Sequence, residues 1–213
     1  MKALFLLLSF LLPTIKYKNI YNHFVTSCKE VAITFDDGPD PKNTYRVLDV
    51  LKEKGVKATF FMLGQNAIKN KDVIKRVYKE GHRIGIHSFS HPNFYKLNYN
   101  QIKKEIVDTQ KAIFDVTGYC PYIIRPPYGI LANEFLKVAE DLKLKVYTWN
   151  VDTFDWKSGN TVEDIIQNGL KKISNGSIIL MHDRSKNQDK SLKALPVIID
   201  KIREMKYEFK TLK

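Results

Sequence analysis

Two adjacent aspartates, Asp36 and Asp37, close the short run Val31-Ala32-Ile33-Thr34-Phe35 and are followed at once by Gly38 and Pro39. Successive side chains of a strand point to opposite faces, so both carboxylates reach one site only where the strand stops being regular. Gly38 and Pro39 supply that break. Two anions side by side in a partly buried site repel each other, and a metal cation or a strong cationic partner is the usual reason such a pair survives. The stretch is a candidate metal-and-base centre, with a solvated turn as the alternative.

Four further blocks could share that chemistry. His87-Ser88-Phe89-Ser90-His91 places two imidazoles four residues apart, facing the same way if one helical turn follows a strand. Ser88 stands where an H-E-x-x-H protease carries its glutamate, so that chemistry is not supported. With Asp37 the histidines form a two-His, one-carboxylate set, which suits zinc or another divalent ion and is also the ligand set of non-haem iron oxygenases. In Arg125-Pro126-Pro127-Tyr128-Gly129 the prolines stiffen an extended segment and Gly129 permits a sharp turn. Such a segment can hold Arg125 against a carboxylate and aim a backbone N–H at a reacting oxygen. Asp152-Thr153-Phe154-Asp155-Trp156 and Leu180-Met181-His182-Asp183 complete the set. His182, ending an apolar run, is either a buried structural residue or the mount of an acid catalyst.

The elements that must position these residues alternate regularly. Apolar, β-branched or aromatic runs at 31–35, 58–63, 83–87, 122–125, 146–150, 177–182 and 207–212 read as seven strands. Between them lie helical stripes such as Val47, Leu48 and Leu51, or Ile102, Ile106 and Ile113 ended by Gly118. Thr161 and Asp164 form a candidate capping pair, and Pro196 is expected near a helix start. Seven strands separated by six helices argue for a parallel sheet. Asp36, His87, Arg125, Asp152 and His182 all fall at C-terminal strand ends, which converge on one face in a β/α barrel.

With 213 residues and 44% hydrophobic content, the chain can build one domain around one core. Its formal net charge of +12 comes from lysines spread along every helix, a solvated lysine-biased surface; an anionic cell-wall polymer is a partner it would suit. No zinc-finger, RNP-like or helix-turn-helix signal points to nucleic acid. Lys2 precedes ten residues, Ala3 to Leu12, of which only Ser9 is polar. This fits the apolar part of an export signal and is short for a membrane span of about 20 residues. Residues 1–27 are therefore expected to be a signal peptide or uncleaved signal anchor with a short linker, and 28–213 the folded domain of a secreted or cell-surface protein. Membrane contact is expected only through such an anchor. Cys28 and Cys120 are either a disulfide or two buried thiols.

The five blocks, in this order, resemble the NodB homology domain of the polysaccharide deacetylases, carbohydrate esterase family 4, from about Glu30 to Leu212. The resemblance implies a single-domain α/β fold, a distorted (β/α)7 barrel of parallel strands. It implies metal-dependent removal of acetyl groups from glycans, usually from N-acetylglucosamine. The iron oxygenase falls, since four of the blocks have no role in it. By resemblance Asp36 is the general base, Asp37, His87 and His91 are the metal ligands, and Arg125 orients the base. The backbone N–H of Tyr128 is the oxyanion donor, Asp155 tunes the acid His182, and Trp156 and Leu180 line the acetyl pocket. Zn2+ is the expected ion, with Co2+ or Ni2+ as alternatives. Peptidoglycan N-acetylglucosamine is the expected substrate of a monomer. Chitooligosaccharides, O-acetyl xylan and a catalytically silent glycan-binding module are the alternatives. His82 reads as packing, and His23 receives no role.

Overall fold

The computed structural model describes residues 17–213. The apolar stretch Ala3 to Leu12 lies outside them. Among the described residues no helix is long and apolar enough to cross a membrane.

The elements in chain order are β1 (Ile20–Tyr21), β2 (Glu30–Asp36), α1 (Asn43–Glu53), β3 (Thr59–Met62), α2 (Gly64–Lys69), α3 (Lys71–Lys79), β4 (Arg83–Ile86), α4 (Tyr99–Thr117), β5 (Ile123–Ile124), α5 (Asn133–Asp141), β6 (Lys145–Tyr147), β7 (Val151–Asp152), α6 (Val162–Leu170), β8 (Ser177–His182), α7 (Gln188–Glu204) and β9 (Glu208–Phe209). Their strands form one parallel sheet in the order β1-β6-β5-β4-β3-β2-β8-β7, with β9 added at the start of β2. β1 and β7 are its edges and are not hydrogen-bonded to each other, so the sheet curls into a half-barrel without closing. This is the expected parallel (β/α) architecture in its distorted form.

Alternation along β2 decides which residues face the chemistry. Val31, Ile33 and Phe35 belong to the large cluster packed with α1, α3 and α7, while Ala32 joins Phe61, Ile123, Tyr147 and Ile178 on the concave face. Two residues on from Ala32 comes Thr34, and two further Asp36, so the same parity carries Asp36 into the concavity. Behind the sheet, Phe35 and Phe60 stack with centroids 5.1 Å apart, part of the apolar burial that fixes the register of β2 against β3.

Five details differ from the expectations. Among the described residues nine strands are present rather than seven, because β1 and β7 are two residues each and too short to show an alternating pattern. The run 146–150 is divided: β6 ends at Tyr147, and β7 resumes against β8. The segment expected to be linker contains β1, whose Ile20 and Tyr21 pair with Val146 and Tyr147, so the folded unit reaches back ahead of residue 28. Pro196 lies in the middle of α7 rather than near its start. Burial of Leu192, Leu195, Ile198, Ile199 and Ile202 along one face offsets the hydrogen bond it cannot donate. Both cysteines are free and exposed, which corrects the expectation of a disulfide or two buried thiols. The Thr161–Asp164 capping box is present on α6 as expected.

Candidate active site

Strand register assembles the site. Asp36 on β2 is level with His182 on β8, and Asp152 on β7 is level with Leu180 on β8. On the other flank Ile86 of β4 is level with Ile124 of β5, so the next residues, His87 and Arg125, leave their strands side by side. A cavity of about 390 Å³ opens over these ends, lined by Asp36, Asp37, His87, His91 and His182 together with Tyr128, Trp149, Asp152, Trp156 and Leu180. Seven expected site residues are thus in its wall by side chain, and Tyr128 is the eighth.

Asp37 joins Asp36 through a break in the backbone. Its φ is 76°, a left-handed conformation that reverses the alternation and turns the second carboxylate toward the same cavity. The Asn66 side chain donates to the Asp37 carbonyl at 2.8 Å, and the Leu63 N–H donates to the Gly38 carbonyl at 2.8 Å, so the start of α2 holds the turn in place. At Gly38 a Cβ would run into the buried Asp183 carboxylate, so the residue leaves room for that side chain.

The two ring nitrogens His87 Nε2 and His91 Nε2 lie 3.5 and 3.4 Å from Asp37 Oδ1. One ligand atom from each of the three residues falls within 4.8 Å of the others. The approach is not by a helical turn, as the four-residue spacing suggested. Ser88 and His91 both have left-handed φ, 71° and 64°, and the Ser88 hydroxyl accepts from the His91 N–H at 3.0 Å. A loop bent this way is held from outside by Glu105 of α4. Its Oε2 accepts from the Phe89 and Ser90 N–H groups at 2.8 Å each, and its Oε1 accepts from the Ser90 hydroxyl at 2.8 Å.

These residues fit a divalent cation. Asp37 Oδ1 is buried and has no hydrogen-bond donor, a costly arrangement for an anionic oxygen with nothing positive beside it. His87 Nδ1 is 2.8 Å from the Arg125 carbonyl oxygen, to which only a protonated nitrogen can donate, so the lone pair is left on Nε2 facing Asp37. Burial lowers the His87 pKa to about 3, with the neighbouring His91 and Arg125 adding to that and Asp37 opposing it. A neutral imidazole is the form that ligates.

Asp36 is braced rather than aimed at the ion set. Arg125 is fully buried; its Nη1 donates to Asp36 Oδ1 at 2.7 Å and to the Thr34 hydroxyl at 2.8 Å. Its Nη2 donates to the Thr148 carbonyl at 3.0 Å and its Nε to that of Tyr147 at 3.3 Å, while the Phe61 ring lies 4.3 Å away. Burial lifts the Asp36 carboxyl above the ordinary carboxylate range, and the charge and hydrogen bond of Arg125 pull back against it.

His182 occupies the opposite electrostatic setting. Its Nδ1 is 2.8 Å from Asp155 Oδ1, and its backbone N–H donates to Asp155 Oδ2 at 2.9 Å. The Ser191 hydroxyl of α7 donates to the same oxygen at 3.1 Å. Burial would lower the His182 pKa, but the hydrogen bond and charge of Asp155, helped by Asp36 and Asp37, raise it to about 9. Trp156, half exposed, meets Phe154 edge-on at 6.0 Å and forms one wall with Leu180. Tyr128 has φ 59° and follows two prolines, which turns its ring edge-on to His91 at 4.6 Å.

Sequence reasoning passed over Trp149 and Glu105. Trp149 lines the cavity and packs against Gly129, where a Cβ would come within 2.9 Å of it. Glu105 is one of several acids on the exposed side of α4, and nothing in its spacing marks it out. Asp152 was noticed but given no role; it lines the cavity, and its Oδ1 accepts from the Phe154 N–H at 2.7 Å. Asp183, next to His182, is fully buried beside Gly38 and hydrogen-bonded to the Thr44 hydroxyl, and burial together with Asp37 and Asp36 raises its pKa to about 7.

Comparison with known proteins agrees with this geometry. A family model described as polysaccharide deacetylase matches residues 24–147. A peptidoglycan-N-acetylglucosamine deacetylase of Listeria monocytogenes is 42% identical over 184 residues, 86% of this chain and 38% of that protein. One of Bacillus cereus is 42% identical over 184 residues, 86% of this chain and 66% of its own length. The chain thus spans less than two thirds of either relative. Among solved structures, a crystal structure of a peptidoglycan N-acetylglucosamine deacetylase bound to a naphthyl N-hydroxybenzamide superposes with a TM-score of 0.86 at 40% identity, covering 91% of both chains. With the matched segment running from ahead of β2 through β6, and the register bringing all five blocks to one cavity, the chain belongs to the polysaccharide deacetylase family.

Proposed function

We propose that this chain is a metal-dependent hydrolase that removes N-acetyl groups from N-acetylglucosamine residues of bacterial peptidoglycan. The observation that carries the reading is the presence, in one cavity, of a buried carboxylate braced by arginine and a histidine kept protonated by a second carboxylate, together with the Asp37, His87 and His91 cluster. The names of the relatives from Listeria and Bacillus cereus support the substrate.

Asp37, His87 and His91 would hold the ion, with Zn2+ as the first candidate and Co2+ or Ni2+ as alternatives. When bound, it supplies a Lewis acid that polarises the acetyl carbonyl and brings the pKa of a water toward neutrality. Asp36, fixed by Arg125 and made more basic by burial, accepts the proton of the attacking water. The Tyr128 N–H, presented on a backbone that two prolines hold rigid, donates to the developing oxyanion; losing one such donor typically costs on the order of 3 kcal/mol. His182 gives its proton to the departing nitrogen, without which an amine does not leave, and Asp155 keeps that proton available at neutral pH. Trp156 and Leu180 enclose the acetyl methyl. Export by residues 1–27 to the cell surface belongs to the same reading.

Acetate release by the full chain tests it, with Zn2+ and then with a chelator, on N-acetylglucosamine oligomers, muropeptides and acetylated xylan. Chelator-sensitive release from the amino sugars is expected. Release from xylan alone would make the chain an O-acetyl esterase, and none from any substrate with metal bound would leave a silent glycan-binding module.

A further inference from the structure

A second groove leaves the catalytic cavity on its acid side. It shares Asp37, Trp156 and His182 with the cavity and continues along Lys157, Ser158, Arg184, Ser185 and Lys186, with a volume of about 430 Å³. Lys157, Arg184 and Lys186 are exposed, and among the described residues none of them lies within 4.0 Å of a carboxylate. Other cations on the helices differ: Arg46 meets Asp189 at 2.7 Å, Lys54 meets Asp200 at 2.6 Å, and Lys104 meets Asp108 at 2.7 Å. The groove's one acidic side chain is Asp37, whose Oδ1 faces the two imidazoles.

The walls are fixed to each other. The Asn187 side chain donates to the Lys157 carbonyl, and Lys190 Nζ donates to the Asn160 carbonyl at 2.7 Å, so the start of α7 is tied to the 157–160 loop. The Ser185 N–H donates to Gln188 Oε1 at 3.1 Å, which fastens the second wall to the same helix. Three like charges, none ion-paired within 4.0 Å among the described residues and held along a concavity, favour a positive potential there. A neutral chitin-type chain gains nothing from that field. A wall glycan carries carboxylates next to its N-acetylglucosamine residues.

We propose that this groove is a carboxylate subsite, which holds an acidic substituent on the sugar adjoining the one deacetylated and so selects wall glycan over neutral chitin. The inference rests on the hydrolase reading above for the identity of the glycan. The carboxylate has two sources with the same chemistry, the free lactyl group of a muramic acid residue or the acids of an attached peptide.

The test uses the full zinc-loaded chain carrying Asp36→Asn to hold turnover off, titrated with three tetrasaccharides in 50 and 300 mM NaCl: chitotetraose, a wall tetrasaccharide with free lactyl carboxylates, and the same with its peptides. Binding of a carboxylated tetrasaccharide about tenfold tighter than chitotetraose at low salt, an advantage that shrinks at high salt, is the expected result. Adding Lys157→Gln, Arg184→Gln and Lys186→Gln together should remove the advantage while chitotetraose binding changes less than twofold; restoring arginine at 184 should return part of it. Should the triple variant melt early, the salt dependence of the parent decides. An advantage confined to the peptide-bearing form assigns the carboxylate to the peptide. Equal binding of all three sugars, or equal weakening of all three by the triple variant, overturns the subsite. Acetate release by the chain with Asp36 intact judges the other reading separately. Preference without acetate removes the hydrolase and leaves the groove; acetate without preference does the reverse.

Discussion

His87 and His182 line one cavity as the same side chain with opposite protonation. The His87 Nδ1 proton goes to a peptide carbonyl, which carries no net charge, and burial then keeps the ring neutral with a pKa of about 3. The His182 Nδ1 proton goes to Asp155, and that buried anion raises the ring to about 9 despite similar burial. The choice of acceptor on one ring nitrogen therefore decides whether an imidazole stays neutral or carries a proton at neutral pH. Neither acceptor is adjacent in sequence to its histidine: Arg125 comes from β5's exit and Asp155 from beyond β7.

The largest effect is expected at His87. His87→Ala should empty the metal site and abolish acetate release together, whereas His182→Ala should abolish release with metal still bound; elemental analysis of the two purified variants separates them. Full metal occupancy in the His87 variant would remove it from the ligand set.

Converting the second acceptor into a neutral one is the next largest effect. Asp155→Asn should return the His182 pKa toward or below its ordinary value of about 6.5 and slow turnover at pH 8 by about 10²- to 10⁴-fold, with metal content unchanged. In the native chain the alkaline limb of the rate profile should fall through about pH 9, as the acid loses its proton. The variant's limb should move to lower pH, and an unmoved limb would mean that another group supplies the proton. The same shift fixes a stability trend. A group whose folded pKa lies above its unfolded value stabilises fully below the unfolded value, so this contribution is present below about pH 6.5 and lost as pH rises through about 9. Denaturant midpoints of native and Asp155→Asn chains should diverge below pH 6.5 and converge above 9.

Arg125→Met leaves Asp36 buried without its cation, which typically destabilises by about 3–5 kcal/mol; a urea titration measures it. The smallest expected effect sharpens the contrast instead of breaking it. Glu105→Ala releases the loop that presents His91 and should weaken metal binding by about 10- to 100-fold, while the alkaline limb set by His182 stays where it is. A shift in that limb would show that the two sides are not independent.

Sequence alone could reach the blocks because each is a rule broken at a strand end. Asp36-Asp37 makes sense only with a reversal after β2, and Asp37's φ of 76° is that reversal. What it could not reach is carried by conformations that spacing does not encode. The four-residue gap between His87 and His91 resembles a helical turn, yet the loop brings the rings together through left-handed Ser88 and His91. Glu105 was invisible because its three hydrogen bonds are made to a loop fifteen or more residues away. Two-residue strands carry no periodicity, so in sequence β1 reads as linker although its pairing with β6 completes one edge of the sheet. Pro196 was misplaced by a local rule that packing along α7 overrides.

Among the described non-glycine residues with positive φ, Asp37, His91 and Tyr128 line the cavity, Ser88 and Phe154 adjoin residues that do, and Lys143 and Lys206 follow the ends of α5 and α7. Left-handed backbone costs an L-residue roughly 1–2 kcal/mol. At the first five positions that energy places a functional group, so a protein engineer seeking heat resistance has nothing to recover there. At Lys143 and Lys206 no cavity group depends on the side chain, and glycine would adopt the same backbone without the penalty. Robustness in this fold can be improved from the helix ends inward, leaving the mouth of the sheet as strained as its chemistry requires.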